Sequence, residues 1–308
     1  MKRSIVSIVL VALAIALIWS AHVRPERVVA DEPSAVARWN AAGVDARMAV
    51  PYTVNGPQQL MDIYIPASAT GALPVVVYVH GGGWSGGGRG GVEQYAQYLT
   101  QRGYVFCSID YRLSGVAKYP AQINDCKCAI RFLRANAAQY HIDPKHVGVW
   151  GGSAGGHLVA LLGTTSGEKR LEGDGGWQDQ SSAVQAVVDW YGPSDLRATT
   201  LSDYHNNSGI AMMTGLLGGT PMDKPELAHD ASPMAFVAKG DPPFLIMHGD
   251  SDSLVPVAQS QLLYDSLKAA GNDATLKIIP GAGHGGWQFF SPENVALLLG
   301  FFDKHLKG

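Results

Sequence analysis

The sequence predicts an α/β fold in which a mostly parallel sheet is flanked by helices. Short apolar runs such as Val75–Val79 alternate along the chain with segments of helical periodicity. Such runs are typical of strands buried on both faces, and strand–helix alternation produces right-handed βαβ units. The chain has 308 residues, 46% of them hydrophobic and 16% charged, which is a globular composition with enough length for a sizeable core.

Eight runs are predicted as strands: Pro51–Val54, Leu60–Ile65, Val75–Val79, Tyr104–Ile109, Val147–Trp150, Val184–Trp190, Phe244–Met247 and Ala274–Ile279. The first two are joined by the short turn Asn55-Gly56-Pro57, which predicts an antiparallel hairpin at one edge of the sheet. Helices are predicted over Val92–Gln101, 121–140, His157–Leu162, Val257–Ala270 and Glu293–His305.

Residues 1–30 are expected to lie outside this fold. Lys2 and Arg3 precede an apolar run from Ile5 to Trp19, and Val28-Val29-Ala30 offers a small-residue cleavage site. This pattern is typical of a signal peptide, with an uncleaved membrane anchor as the alternative because the run is of borderline length for a span. Both interpretations place the protein outside the cytoplasm, periplasmic or secreted. Residues 31–47 are then expected to form a linker or surface arm, and residues 48–308 the main domain.

The charge pattern argues against a nucleic-acid partner. The formal net charge is −3, and lysines and arginines form no cluster. Binding to phosphate backbones needs concentrated positive charge.

The three cysteines are expected to be structural. Cys126 and Cys128 lie two positions apart on a predicted helix, so their side chains diverge and cannot pair. If a disulfide forms, Cys107–Cys126 is the favoured pair, because Cys126 shares the apolar stripe that faces the sheet. We favour buried thiols instead, since a chain of this size does not need a disulfide to hold its core. No CxxC or histidine cluster accompanies them, so no metal site is expected.

Two segments interrupt the alternation and are expected to lie over the carboxyl edge of the sheet, where loops shape a substrate pocket. Residues 164–182 are rich in Gly, Asp and Ser. Residues 195–232 contain an apolar patch made of Ile210, Met212, Met213, Leu216 and Leu217.

A candidate nucleophile lies between a strand and a helix. Gly151-Gly152-Ser153-Ala154-Gly155 follows the strand ending at Trp150 and leads into a helix, as in the G-x-S-x-G nucleophile elbow. Small residues are needed because the turn is tight, and the strained turn exposes the serine hydroxyl. Gly83-Trp84-Ser85-Gly86-Gly87 also fits this pattern, but more glycines follow it and no helix begins there. Ser153 is therefore the predicted nucleophile and Ser85 is not.

The segment His80-Gly81-Gly82-Gly83-Trp84, at the end of another strand, is a candidate oxyanion hole. Glycines allow backbone N–H groups to converge on the oxyanion of a tetrahedral intermediate. We predict Gly82 and Gly83 as donors, with the Ala154 amide as the third. His80 is expected to orient the loop.

A base and an acid are expected after the last two strands, in the chain order Ser, Asp, His. His284 lies in the glycine-rich segment that follows the strand ending at Ile279 and is the predicted base. Asp250 and Asp252 both follow the strand ending at Met247. Asp252 is favoured because it stands at the top of the turn before the next helix, whereas Asp250 is better placed to brace the turn.

Taken together, six motifs resemble the esterase/lipase branch of the α/β-hydrolases: HGGGW, YRL (Tyr111–Leu113), GGSAGGH, YGPSDL (Tyr191–Leu196), HGDSDSLVP and GAGHGG. They are most similar to the bifunctional feruloyl and acetyl-xylan esterases, near the hormone-sensitive-lipase-like enzymes. The resemblance covers residues 48–308 and implies a catalytic domain of the α/β-hydrolase fold. It also implies a carboxylic-ester hydrolase that forms an acyl-enzyme without metal or cofactor. GGSAGG stands where GDSAGG is usual in the hormone-sensitive-lipase group, so that group's substrate preferences do not carry over.

Short-chain or aromatic acyl esters are the expected substrates, including acetyl or feruloyl groups on polysaccharide, because the polar segment 164–182 offers no apolar lid. A prolyl-oligopeptidase-like peptidase is one alternative, but residues 1–47 are too few for its N-terminal propeller. A non-catalytic binding protein of this fold is another, which would be expected to lack one of the three catalytic residues. The sequence predicts no nucleic-acid partner, allows membrane contact only through an N-terminal anchor, and carries no prediction of oligomeric state.

Overall fold

The computed structural model describes residues 32–54, 59–197, 200, 202, 204 and 207–308. The expected signal peptide or anchor, the Asn55-Gly56-Pro57 turn and part of segment 195–232 lie outside these residues. In this part of the chain, no helix has the length and apolar character needed to cross a membrane.

The described residues contain a single eight-stranded sheet. Its strands are β1 (Val44–Pro51), β2 (Leu60–Pro66), β3 (Leu73–Val79), β4 (Val105–Ile109), β5 (Ile142–Gly152), β6 (Ala186–Trp190), β7 (Phe244–Gly249) and β8 (Ala274–Ile279). Their order across the sheet is β1-β2-β4-β3-β5-β6-β7-β8. All neighbouring pairs are parallel except β1–β2 and β2–β4. This is the α/β-hydrolase fold, and the predicted fold class is confirmed.

Helices connect and flank the strands. The described helices are α1 (Glu32–Ala41), α2 (Glu93–Gln101), α3 (Ala121–Ala135), α4 (Ala154–Thr164), α5 (Asn207–Leu217), α6 (Pro225–Asp230), α7 (Val257–Ala269) and α8 (Pro292–Leu306). Short 3-10 turns lie at Lys169–Leu171, Pro233–Phe236 and Trp287–Phe290. The five helices predicted from the sequence are all present, with ends that differ from the predicted ones by up to five residues.

The antiparallel hairpin at the edge is confirmed, but its first strand was misplaced. β1 ends at Pro51, where the predicted strand began, and pairs with β2 from Val44↔Pro66 to Pro51↔Leu60. Helix α1 and the start of β1 therefore occupy the segment expected as a linker or arm. The alternation in β1 is weak because only Val44 and Ala46 are buried while Arg47 is exposed. An edge strand that is half solvated gives little apolar signal.

The core lies on both faces of the sheet because successive strand residues point to opposite sides. Val75, Val77 and alternate residues of the central strands pack against α3, α4 and α7. The strand residues on the opposite face, such as Val76 and Phe106, pack against α2 and α8. Strands β4, β6 and β7 are buried along their whole length. Burial on both faces explains the continuous apolar runs in the sequence.

Segment 164–182 reaches the carboxyl edge of the sheet just after β1, where Trp177 Nε1 donates to the Tyr52 carbonyl at 2.9 Å. It packs on α3, where the carboxylate of Glu172 accepts hydrogen bonds from Lys127 Nζ at 2.9 Å and Arg131 Nη1 at 2.5 Å. The side chains of Lys127 and Arg131 are 0% and 1% exposed. Buried cations require a nearby carboxylate, so the polar character of this segment reflects charge compensation.

All three cysteines are free and buried, as the favoured interpretation predicted. They belong to one apolar cluster with residues of β3, β4 and α4. Burial raises the pKa of the Cys107 and Cys126 thiols and raises that of Cys128 to about 11. These thiols therefore act as small apolar side chains of the core.

The cluster around Glu172 generates a stability prediction. Burial alone would raise the pKa of Glu172, but hydrogen bonds from Ser182 and Lys127, together with the charge of Arg131, hold it below its usual value. A carboxyl with a depressed pKa stabilises the fold above its unfolded pKa of about 4.3, and the contribution is lost as the pH falls. Glu172→Gln should lower the free energy of unfolding at pH 7 by about 3 kcal/mol, because it leaves buried cations uncompensated.

Urea denaturation at pH 7 and pH 4 measures this effect. The matched control is Glu168→Gln, since Glu168 pairs with the exposed Arg170 and should contribute less than about 1 kcal/mol. Equal losses in the two variants would contradict the assignment.

Candidate active site

The predicted nucleophile lies at the turn between β5 and α4. Ser153 has φ 57° and ψ −122°, a conformation that costs a non-glycine residue about 1–3 kcal/mol. The turn is held by hydrogen bonds from the Ser153 amide to the Trp190 carbonyl at 2.8 Å and from the His157 amide to the Ser153 carbonyl at 3.0 Å. Strain retained by surrounding contacts is characteristic of a functional turn.

Glycine is required at this turn because α4 starts against β3. A Cβ added to Gly155 would lie 2.0 Å from the Val79 carbonyl oxygen, and one added to Gly151 would lie 2.5 Å from the backbone of Gly155. Backbone atoms cannot yield to such contacts. The G-x-S-x-G spacing is therefore a packing requirement, and it brings the carboxyl end of β3 beside the serine.

Ser153, His284 and Asp252 form a hydrogen-bonded chain. His284 Nε2 lies 2.8 Å from Ser153 Oγ, and His284 Nδ1 lies 2.7 Å from Asp252 Oδ2. His284 follows β8, Asp252 follows β7 and Ser153 follows β5. The carboxyl ends of these parallel strands share one edge of the sheet, which is how residues so distant in sequence meet. The structure thus brings together the three residues that the sequence singled out.

The two candidate acids have different surroundings. The side chain of Asp252 is fully buried, and its Oδ1 accepts hydrogen bonds from the amides of Leu254 at 2.8 Å and Val255 at 2.9 Å. Burial alone would raise the pKa of Asp252, but hydrogen bonds from His248, His284 and the Val255 amide hold it well below its usual value. Asp250 is exposed, and its Oδ1 accepts from the Gly281 amide at 2.8 Å. The carboxylate of Asp250 therefore braces the neighbouring loop.

The glycine loop after β3 is braced from both ends. The ring of buried His80 stacks on Tyr111 with centroids 4.2 Å apart, and its Nδ1 donates to the Gly81 carbonyl at 2.7 Å. Trp84 Nε1 donates to His157 Nδ1 at 3.2 Å, and His157 Nε2 donates to the Ala231 carbonyl at 2.6 Å. Burial lowers the pKa of His157 to about 4, so its ring stays neutral and fixed. These contacts assign His80 and His157 to positioning the loop.

The predicted oxyanion donors lie unevenly around the serine. Gly83 and Ala154 line the same cavity as Ser153, and Gly82 precedes Gly83 in the loop. None of the three amides donates a hydrogen bond to another described residue. Gly83 and Ala154 are therefore next to the nucleophile, and the role of all three amides as oxyanion donors stays a prediction. Ser85 is exposed, and its hydroxyl lies 3.4 Å from the Gly82 carbonyl.

A cavity of about 300 Å³ opens beside Ser153 and is lined mainly by apolar groups. Its walls include residues of segment 195–232, namely Tyr204, Gly209, Met212 and Met213, which confirms that part of the expected insertion. Met212 lies over the glycine loop, because a Cβ on Gly83 would be 2.7 Å from its Sδ atom.

Two residues around the triad were missed by the sequence analysis. His248 is the next-to-last residue of β7, and its Nε2 atom lies 3.2 Å from Asp252 Oδ2. Tyr191 has φ 44°, and its ring packs edge-on against His284 with centroids 4.8 Å apart. A histidine at the end of an otherwise apolar buried strand is a signal that could have identified His248.

The arrangement has the parts of a nucleophilic acyl-transfer site. A hydroxyl contacts one nitrogen of an imidazole, the other ring nitrogen contacts a carboxylate, and Gly83 and Ala154 line the same cavity. Among the described residues, no group of three His, Cys, Asp or Glu side chains is placed to hold a metal ion.

The family model described as BD-FAE matches residues 61–267, which include Ser153 and Asp252. The chain belongs to the BD-FAE family. The resemblance identified from the sequence motifs is thereby confirmed at the level of the family. A curated relative is Esterase LipQ of Mycobacterium tuberculosis, 34% identical over 72% of this chain and 52% of the relative. The BD-FAE chain thus spans about half the length of that relative.

Two solved structures resemble the BD-FAE chain closely. A truncated carbohydrate esterase from gut microbiota is 34% identical, with a TM-score of 0.78 over 85% of this chain and 96% of that one. An acetyl ester-xyloside bifunctional hydrolase from Caldicellulosiruptor lactoaceticus is 29% identical, with a TM-score of 0.69 over 80% of this chain and 88% of that one. Because both structures also share sequence identity with this chain, their similarity supports the family as well as the fold.

Proposed function

We propose that the protein is a serine carboxylic-ester hydrolase that forms a covalent acyl-enzyme on short-chain acyl esters. The observation that carries the proposal is the chain of hydrogen bonds from Ser153 Oγ through His284 to Asp252, at 2.8 and 2.7 Å, beside a small apolar cavity. Hydroxyl, imidazole and buried carboxylate in this order are the parts that general-base-assisted nucleophilic attack needs.

The proposed reaction has two halves. Ser153 Oγ attacks the ester carbonyl carbon while His284 Nε2 takes the hydroxyl proton, and the oxyanion binds the amides of Gly83 and Ala154. The C–O bond to the alcohol then breaks, and His284 gives its proton to the departing oxygen. Water attacks the acyl-enzyme with His284 as base, releasing the carboxylic acid and returning the proton to Ser153 Oγ. Asp252 stabilises the imidazolium in both halves.

The proposed alcohol is a carbohydrate hydroxyl, and the proposed acyl group is acetyl or another short group. Similarity to a carbohydrate esterase and to an acetyl ester-xyloside hydrolase supports the alcohol. The proposal of a short acyl group is supported by the position of Met212 over Gly83, because its side chain limits the depth of the cavity beside Ser153. Feruloyl esters are the aromatic alternative. Export from the cytoplasm stays a prediction from the apolar run near the N-terminus.

The rival functions have less support. A prolyl-oligopeptidase-like peptidase is disfavoured because the relatives named above are esterases. A non-catalytic binding protein is disfavoured because the hydrogen-bonded chain at Ser153 is complete.

Covalent labelling tests the nucleophile. A fluorophosphonate ester should modify one site per chain, on Ser153, and mass spectrometry of the digested protein locates the adduct. Ser153→Ala should lower kcat for p-nitrophenyl acetate by several powers of ten, on the order of 10⁶ in a comparable triad. Ser85→Ala is the matched control and should keep both labelling and activity. An adduct on Ser85, or an active Ser153→Ala variant, would overturn the assignment.

Two matched carboxamide variants test the acid. Asp252→Asn should lower kcat by about 10³–10⁴, because the amide no longer holds the productive tautomer of His284. Asp250→Asn should cost less than about tenfold, since its carboxylate only braces the loop at Gly281. The measurement is kcat for p-nitrophenyl acetate in both variants. A larger loss in Asp250→Asn than in Asp252→Asn would make Asp250 the acid.

Acyl-chain length tests the pocket. The wild-type protein should prefer p-nitrophenyl acetate to butyrate over octanoate and palmitate, with no activation at a lipid–water interface. Met212→Ala should raise the octanoate-to-acetate ratio of kcat/KM by about tenfold or more, because removing the Cγ, Sδ and Cε atoms opens the cavity beside Gly83. Met222→Ala is the control, since Met222 is 69% exposed. Palmitate turnover that rivals butyrate in the wild type would contradict the short-chain proposal.

A further inference from the structure

A second histidine contacts the acid of the proposed triad. His248 is the fifth residue of β7 and is fully buried. Its Nε2 atom lies 3.0 Å from the Val255 carbonyl oxygen and 3.2 Å from Asp252 Oδ2, and its Nδ1 atom lies 2.6 Å from Ser260 Oγ. The proposed reaction assigns this ring no role.

These partners define where the ring carries its proton. A carbonyl oxygen can only accept a hydrogen bond, so Nε2 bears hydrogen and donates to Val255, with Asp252 Oδ2 3.2 Å from the same nitrogen. We infer that the Ser260 hydroxyl donates to Nδ1, so that the ring carries its hydrogen on Nε2. Ser260 is itself fully buried in α7, so the hydroxyl has a fixed position.

Two histidines therefore share one carboxylate oxygen. Asp252 Oδ2 lies 2.7 Å from His284 Nδ1 and 3.2 Å from His248 Nε2, whereas Oδ1 is occupied by the amides of Leu254 and Val255. Hydrogen bonds to a carboxylate disperse its negative charge over the donors. The Nε2–H group of His248 lies close enough to Oδ2 to take part in this dispersal.

We propose that His248 is a positioning residue of the triad: it donates through Nε2 to Asp252 Oδ2, holds that oxygen toward His284 and limits how strongly the carboxylate stabilises the His284 imidazolium. The inference rests on the proposed esterase function. A substitution that removes the Nε2–H group of His248 but fills the same space should leave His284 as the one histidine donor to Asp252. The carboxylate then stabilises the protonated form of His284 more strongly. The acidic limb of the kcat/KM profile should then move to higher pH.

Other charged or titratable groups face this relay and must be separated from it. Asp189 on β6 is fully buried, and burial raises its pKa to about 6 even though its Oδ1 accepts a hydrogen bond from the Gly192 amide at 2.9 Å. Burial also raises the pKa of Tyr191, whose ring packs against both His248 and His284, so the phenol stays neutral. Asp250 points to the Gly281 amide. Asp189→Asn therefore serves as the variant that removes a buried carboxyl other than that of Asp252.

The decisive experiment compares His248→Gln with His248→Met. Glutamine and methionine have the same length and nearly the same shape, but only glutamine can donate a hydrogen bond to Asp252. The pH profiles of kcat and kcat/KM for p-nitrophenyl acetate are measured for both variants, the wild type and Asp189→Asn. His157→Gln is a further control, because His157 is an equally buried neutral histidine without contact to Asp252.

His248→Met should move the acidic limb upward by about half a pH unit or more relative to His248→Gln, with KM unchanged. The midpoint of the acidic limb should differ from the wild-type midpoint by no more than about half that shift in the three other variants, which are His248→Gln, Asp189→Asn and His157→Gln. A limb that is the same in the Met and Gln variants, or lower in Met, overturns the inference. Wild-type protein that hydrolyses no ester would instead refute the proposed function.

A measurement on the wild type covers the case in which the His248 variants do not fold, and it needs no substrate. Nitrogen-15 spectra of the histidine rings at pH 7 should show His248 protonated at Nε2 and unprotonated at Nδ1. A ring protonated at Nδ1 would overturn the inference whatever the activity.

Discussion

The close approach of α4 to β3 is the contact on which the rest of the site depends. Gly155 leaves no room for a Cβ beside the Val79 carbonyl, so the helix can start only where the strand–turn–helix backbone is bent at Ser153. The bend places the serine hydroxyl above the sheet edge and the Ala154 amide beside it. The same approach brings the loop after β3 to the serine, because that loop begins at His80, one residue beyond Val79. Nucleophile and oxyanion donors are thus set by one backbone contact.

Parallel strands extend this arrangement to the base and the acid. Because β5, β7 and β8 end at one edge, their following loops need only a few residues to place Ser153, Asp252 and His284 within hydrogen-bond distance. The loops are then fixed by buried neutral groups, as with Trp84 on His157 and His80 on Tyr111. Rigid bracing of this kind keeps the donors oriented before substrate arrives, which is the condition for electrostatic stabilisation of a transition state.

The sequence predicted what depends on local pattern. Buried strands such as Val75–Val79 and the elbow around Ser153 carry their signals within a few residues, and both were located correctly. The edge strand β1 was misplaced because a strand solvated on one side and bulged after Arg47 lacks a clean alternation. The charge compensation by segment 164–182 was not predicted, because Glu172 lies far in sequence from the buried Lys127 and Arg131. Compensation between distant charges leaves no periodic signature.

The choice between Asp250 and Asp252 shows how a local turn acquires a catalytic role. Both carboxylates accept backbone amides, but only Asp252 has its second oxygen turned inward, where two rings reach it. The amides of Leu254 and Val255 fix one oxygen and thereby fix the direction of the other. Because the Asp252 carboxylate cannot rotate, it orients His284. In the proposed role of His248, the second donor on the same oxygen limits how strongly Asp252 stabilises the His284 imidazolium. Orientation and basicity of the base are thus controlled by different partners of one side chain, which is why a buried histidine beside the acid is compatible with catalysis.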